Sequence, residues 1–501
     1  MLLSPAVNHG NENDVLHAAL AELRGAADVR YADARLVATE SEGIAIRLDE
    51  VERLARDRGR GVGVRVLCGT ARAGAWGFAA TPDSDEASVI QVTRRALEVA
   101  RAAGRAAAPS VVLAEEEPQR GRWETPVAVD PFAVSLGDKL ATLAGSVAIL
   151  RGDGRHVASA EARMLWRRET KRLVTSEGTD VEQVLICGGA GLKIITAADG
   201  ETAQRSWPGD IDGGIAGAGY ETIARLELDD NAARIREEAL ALLDAPPCPA
   251  GSRALVLDTP QLALQIHESC GHPTELDRAL GEEISLAGAS FLTPDKLGRF
   301  RYGAPIVNLT ADSTRPLGVG SFGWDDEGVA ARRTPLVSRG IFVGYLSSRE
   351  TAQRLGLGRS AGCMRAESYA RPPIIRMINV SLEPDPQGPR SLDELVADTD
   401  DGVLMSTNRS WSIDDVRLNF QFSCEAGWEI KRGKRTRLVK RPMYTGLTPR
   451  FWAGCDAIAG PDAFRIWGFL SCGKGDPMQL MAVGHGTSPA RFREVDIGSA
   501  S

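Results

Sequence analysis

The chain has 501 residues, 43% hydrophobic and 25% charged, and its 59 basic and 67 acidic side chains leave a net charge of −8. That length holds two or three domains and a core of ordinary size, and the mildly acidic balance makes nucleic acid an unexpected partner. Eight cysteines without a C-x-x-C pair, no basic-then-apolar leader in residues 1–14 and no apolar run of the roughly 18 residues a bilayer span needs point to a cytoplasmic chain with free thiols, not a membrane protein.

Residues 15–27 read as an amphipathic helix, with Leu16, Leu20 and Leu23 on one stripe and Asn13 or Asp14 as its cap. Residues 30–37 and 43–48 read as strands. At 61–67, Val62, Val64 and Val66 alternate with Gly63 and Arg65, the period of a half-buried strand. Residues 88–104 and 130–150 read as helices, 157–170, 171–176 and 180–196 as strands, and 221–243 as one long helix. Helices set against sheets in this way make the first half α+β. The stretch Ala245-Pro246-Pro247-Cys248-Pro249-Ala250-Gly251 cannot continue a helix, so a domain boundary is expected there, between residues 1–245 and 246–501. The second part opens with a strand at 253–257 and a helix at 259–267. It turns β-rich after Arg299, with hairpins turning at Arg339-Gly340 and Arg432-Gly433.

The sharpest chemical signal is His267-Glu268-Ser269-Cys270-Gly271-His272. Neutral imidazoles are good zinc ligands, and a carboxylate beside them can act as a base. The spacing differs from the common H-E-x-x-H helix. Residues four apart lie about 40° apart around an α-helix, but residues five apart lie about 140° apart. The two histidines therefore converge only if the helix distorts or ends between them. Gly271 is expected to relax the backbone there, and Pro273 to disfavour the α conformation at His272. A third ligand is needed, and Cys270, Cys472, His485 and several carboxylates are available. Cys472 heads the glycine-rich turn Ser471-Cys472-Gly473-Lys474-Gly475, where a metal or Lys474 would stabilise a thiolate. Neither a G-x-S-x-G elbow nor a Walker-type loop is present. The basic run at 431–441 alternates as the solvated face of a hairpin does, in preference to a patch for an anionic ligand.

In chain order, Gly61-Val62-Gly63-Val64-Arg65, the H-E-x-x-x-H segment, Trp324-Asp325-Asp326-Glu327-Gly328, Arg365-Ala366-Glu367-Ser368-Tyr369 and Ser471-Cys472-Gly473-Lys474 together resemble the TldD/PmbA family of metallopeptidases, on its metal-bearing TldD side. The resemblance covers nearly the whole chain. It implies zinc or a similar divalent metal on His267, His272 and Cys472, Glu268 as general base and then acid, and Arg365 and Tyr369 beside the substrate. The fold expected is α+β, an N-terminal helix/sheet domain followed by a β-rich C-terminal metal-binding domain.

The activity implied is hydrolysis of peptide bonds in unfolded or extended peptides, held as strands in an enclosed chamber of a dimer. That dimer is either a homodimer or a heterodimer with a PmbA-like chain. Two alternatives stand beside it: a non-catalytic subunit with a structural metal, and a protease dedicated to maturing one peptide. Gly475-Asp476-Pro477-Met478-Gln479 departs from the family's glycine- and glutamine-rich continuation, which bears on substrate contacts and not on the ligands.

Overall fold

The alternation around Val62, Val64 and Val66 lies inside a strand far longer than the sequence suggests. The structure, a computed structural model, describes residues 9–70, 73–106, 111–210, 213–286 and 288–500. After helix α1 (His9–Glu22), strands β1 (Val29–Arg47) and β2 (Glu50–Thr70) pair antiparallel along their whole length, and β3 (Ala73–Thr81) pairs with the second part of β2. The two strands expected at 30–37 and 43–48 are thus one. The polar residues between them stay extended because they are paired across the ladder, Glu40 with Arg58 at 2.6 Å and Glu42 with Arg56. Residues 157–175 likewise form one strand, β4 (Val157–Thr175), paired along its length with β1 on one side and β5 (Asp180–Ala198) on the other.

Helix α2 (Glu86–Arg105) starts where the Asp85 carboxylate caps Ser88 N–H, and it buries Val89, Ala96 and Ala100. Helix α3 (Leu136–Arg151) starts at the Ser135 cap, five residues later than expected. The long helix expected at 221–243 is broken: Glu227 is left-handed at φ 44°, and α4 (Leu228–Asp244) begins after it. Between β5 and α4, the short β6 (Gly214–Ala216) joins the same sheet.

The second half contains β7 (Gly251–Leu257), α5 (Thr259–Ile266), β8 (Asp401–Ile413), β9 (Asn419–Lys431), β10 (Lys434–Lys440), β11 (Pro442–Leu447), β12 (Arg465–Lys474), β13 (Gln479–Thr487) and β14 (Ala490–Ser499). Strands β8, β7, β14, β11 and β9 pair in that order, and β9 pairs back on β8, closing a small five-stranded barrel. Both hairpins turn where expected, at Arg339-Gly340 and Arg432-Gly433, with positive φ at each residue. The fold is α+β.

Two features place the site. Helix α5 is buried on all sides apart from Pro260, and its Gln261 and Gln265 both bond the hydroxyl of Tyr444 from the barrel, at 2.9 and 3.0 Å. Strands β12 and β13 lie outside the barrel and join the ten-stranded sheet of the first half through Gly468 and Ile215. A buried ionic seam ties the halves together: Asp326 faces Lys171 at 2.9 Å and Arg35 at 3.2 Å, and Glu327 faces Arg65 at 3.5 Å.

Candidate metal centre

The His-Glu segment continues α5, but not as an α-helix. Residues 267–271 form a single π-turn, in which His272 N–H bonds the carbonyl of His267 five residues back. His272–Thr274 then tightens into a 3-10 turn. The five-residue hydrogen bond brings both imidazoles to one face, their ring centres 4.8 Å apart.

The expected distortion is there, but not by the expected means. Gly271 has ordinary helical angles, φ −55° and ψ −66°, so its backbone freedom is not used. It is needed for space, because a Cβ there would stand 2.0 Å from Met377 Sδ. Pro273 does not move His272 out of the α region either; His272 sits at φ −60°, ψ −44°. Residues 267–274 are all buried, and packing overrides the local preference at the residue before proline.

Cys472 arrives from β12, where the pairing with β13 slips between Phe469 and Cys472. Its Sγ lies 3.8 Å from His272 Nε2. One donor atom from each of His267, His272 and Cys472 lies within 4.8 Å of the others, and all three residues are buried. Burial pushes the Cys472 thiol up, so a thiolate there needs a cation beside it. Lys474 is not that cation, contrary to expectation. Its ammonium turns to Asp277 and the Ile375 carbonyl, both at 2.8 Å.

Hydrogen bonds settle which imidazole nitrogens are available. His485 Nδ1 lies 3.0 Å from the Val380 carbonyl, which can only accept, so Nδ1 carries the proton. Burial lowers the His485 pKa to about 3, so the ring is neutral and its Nε2 is a lone pair. That lone pair, 2.8 Å from His267 Nδ1, accepts its N–H and leaves His267 Nε2 as a lone pair. His272 Nδ1 donates to Glu275 Oε2 at 3.0 Å, which frees its Nε2 likewise. Burial pushes the Glu275 carboxyl up, but Lys474, His272 and Arg278 outweigh it and hold it well below the usual carboxylate range. Burial also keeps both His267 and His272 well below the usual imidazole range. Two neutral imidazoles with free Nε2 atoms and a thiol form a donor set that fits a divalent metal.

Of the other ligand candidates, His485 stands behind His267 as its hydrogen-bond acceptor. Cys270 is fully buried, its thiol pushed well up by desolvation, and it is not in the donor cluster. Glu268 projects from the π-turn. Trp411 Nε1 donates to its Oε1 at 2.9 Å, and the Arg417 guanidinium pairs with its Oε2. Burial raises its pKa, and Arg417 and Trp411 oppose that rise.

Arg365 and Tyr369 are not brought to the donors. Arg365 donates to the carbonyls of Met377 and Ala482, at 3.2 and 2.7 Å, and burial lowers its pKa to about 10. Tyr369 lies across β2, where a Cβ on Gly61 would stand 2.4 Å from its ring. The basic hairpin is largely neutralised within the chain, Lys431 by Asp401, Arg435 by Asp393, Arg437 by Glu429, and Lys440 and Arg441 by Glu201. Sequence reading missed Glu275, Trp411 and Arg417. Glu275 had a local signal, three residues after His272, whereas Trp411 and Arg417 lie more than 140 positions from Glu268.

Two imidazoles and a thiol converge beside a helix-borne carboxylate, a set that could hold a divalent metal. Comparison with known proteins agrees. Residues 251–499 match the PmbA/TldA metallopeptidase C-terminal domain and residues 32–103 match domain 1 of the same family. A metalloprotease of Methanothermobacter thermautotrophicus is 30% identical over 478 residues, covering 94% of this chain and 96% of its own. Among solved structures, a putative modulator of a DNA gyrase from Thermotoga maritima has a TM-score of 0.76 at 17% identity, covering 98% of this chain and all of its own. TldE from Thermococcus kodakarensis has 0.70 at 16%, covering 97% and 100%. The chain belongs to the TldD/PmbA family of metallopeptidases. Among the described residues, no helix is long and apolar enough to cross a membrane.

Proposed function

We propose that this chain is the catalytic, TldD-type subunit of a peptidase that cleaves unfolded or extended peptides, with His267, His272 and Cys472 holding zinc or a similar divalent metal. The observation that carries the reading is the convergence of those three donors within 4.8 Å beside Glu268. Three protein ligands suit a catalytic site with an open position, whereas a structural zinc is usually closed by four. Among the described residues no fourth donor joins the cluster, which favours catalysis over a purely structural metal.

A metal bound there supplies Lewis-acid polarisation of the scissile carbonyl. Glu268 takes the proton of the attacking water and delivers it to the leaving amine. Trp411 and Arg417 hold its carboxylate in place for both transfers. His485 and Glu275 fix the tautomers of the two histidines. Arg365 enters as a substrate-side residue through a cavity that it lines with Arg167, Cys187, Trp324 and Met481, and Tyr369 through its place over β2. The chain divides near residue 246, and its partner in the working enzyme is a second copy or a PmbA-like chain.

The test is elemental analysis of the purified chain beside His272→Ala and Cys472→Ala, with peptidase assays on an unfolded substrate. Near-stoichiometric metal in the wild type, lost in both variants, is expected. A wild-type chain that takes up no metal on reconstitution would sink the reading.

A further inference from the structure

Arg365 is only 8% exposed, yet among the described residues no carboxylate lies within ion-pair distance of its guanidinium. One terminal nitrogen, Nη1, donates to the carbonyls of Met377 and Ala482. The other two, Nε and Nη2, bond to none of the described residues, and both remain accessible. Nε and Nη2 form one edge of the guanidinium fork, the edge that grips a carboxylate through two parallel hydrogen bonds. Elsewhere in the chain Arg101 uses that same edge on Asp28, at 2.8 and 2.7 Å. A buried cation without a counter-ion costs stability, and such groups gather at functional sites.

Arg365 lines a cavity of about 50 Å³ between the two halves of the chain. A water needs about 10–15 Å³ of such space, so the cavity takes a carboxylate group but not a length of peptide. The other charges around it are already committed. Arg167 and Lys171 each pair with Glu169 at 3.0 Å, and Lys171 and Arg35 share Asp326. Asp325 accepts the N–H groups of Glu327, Val329 and Met364, and burial pushes its carboxyl up to about 8. Glu169 and Asp326 act on Arg365 only from a distance, and desolvation outweighs them. The cavity therefore favours one more negative charge.

Its place relative to the donors follows from the strand pairing. Met481, in the cavity wall, is the partner of Cys472 across β12 and β13. Residues paired directly in an antiparallel ladder put their side chains on one face, with Cβ atoms about 4.5–5.5 Å apart. At about 3.3–3.6 Å per extended residue, a peptide at the donors reaches the cavity with a carboxylate one or two residues from the bond being cut. We propose that the Arg365 cavity is a carboxylate-binding subsite, which takes either the C-terminal carboxylate of a peptide or an acidic side chain near the cut. The site rests on the uncommitted guanidinium edge, and only the peptide nature of its ligand rests on the peptidase reading.

The first probe is sodium acetate, set against sodium chloride at equal ionic strength, in thermal unfolding of the metal-loaded full-length chain. Acetate should raise the wild-type Tm by about 1–3 °C over chloride, and that of Arg365→Gln not at all. Arg365→Lys, which keeps the charge but not the fork, should gain less than wild type and serves if the Gln variant does not fold. Peptidase kinetics then separate the two sources of carboxylate, with one unfolded peptide made with a free C-terminus, with an amidated C-terminus, and amidated with a single Glu moved along it. The version whose carboxylate meets Arg365 should have a KM about 10–100-fold below that of the neutral amide at similar kcat, and Arg365→Gln should erase the difference. No acetate response in the wild type, or one that both Arg365 variants retain in full, overturns the site. Equal KM values for all versions overturn its role in substrate binding. An acetate response without any peptidase activity supports the site and counts against the peptidase reading instead.

Discussion

Two buried polar clusters lie where the halves of the chain meet, and they are built on opposite principles. In the ionic seam each charge faces an opposite one: Asp326 meets Lys171 and Arg35, Glu327 meets Arg65, and Arg65 also holds Asp33 at 2.7 Å. In the candidate metal centre the donors are neutral and converge on one another instead. His267 and His272 each spend one nitrogen on an outer partner and turn the other, with the Cys472 sulfur, toward a common point. A saturated cluster holds structure together. A cluster of convergent neutral imidazoles and a thiol is suited to take up a cation.

Mutation separates the two. Glu268→Gln should lower peptide turnover by about 10²–10⁴-fold while metal content and Tm stay close to wild type, as a lost general base requires; full turnover would remove Glu268 from the mechanism. Asp326→Ala should do the reverse, keeping metal stoichiometry in the folded protein but costing about 3–5 kcal/mol in denaturant unfolding, because the buried Arg35 guanidinium loses its carboxylate partner and Lys171 keeps only Glu169. A folded variant of normal stability that has lost its metal would erase the distinction between the clusters. His485→Phe keeps a ring behind His267 but removes the acceptor for its Nδ1–H. Chelator competition should show metal affinity reduced about 10–100-fold with the fold intact, and unchanged affinity would mean that His485 only fills space.

The smallest effect belongs to a paired carboxylate near the surface. Burial pushes the Asp456 carboxyl up, but hydrogen bonds from Arg491 and Arg493 outweigh this and hold it below the usual range. A carboxyl depressed in the folded state contributes stability above its unfolded pKa, about 3.9, and that contribution is lost as pH falls through the folded value. Asp456→Asn should therefore lower Tm slightly at neutral pH, and the difference should shrink below about pH 4. A difference that grows on acidification would reverse the assigned sign.

Much of this was legible in local sequence. The valine alternation in β2 and the Arg-Gly hairpin turns each report on a few neighbouring residues, and each appeared where expected, whereas the cap expected at Asn13 or Asp14 falls inside α1, which begins at His9. The strand errors share a cause. Residues 39–42 and 50–60 look too polar for strands, and only pairing with a distant ladder, Glu40 to Arg58 and Glu42 to Arg56, makes them extended. The break at Glu227 did leave a local signal that went unread, since Asp229 and Asp230 suit the first turn of a new helix better than a helix interior.

By itself, the sequence determined which donor types are present and that a regular α-helix could not bring His267 and His272 together, because helical geometry is a property of spacing alone. Tertiary structure decided the rest. It chose a π-turn, placed Met377 against Gly271, delivered Cys472 from a strand shared with the other half, and set His485 and Glu275 behind the imidazoles. Those choices rest on packing and hydrogen bonds between residues up to 218 positions apart, and a side chain's protonated nitrogen is set by the partner it meets in space.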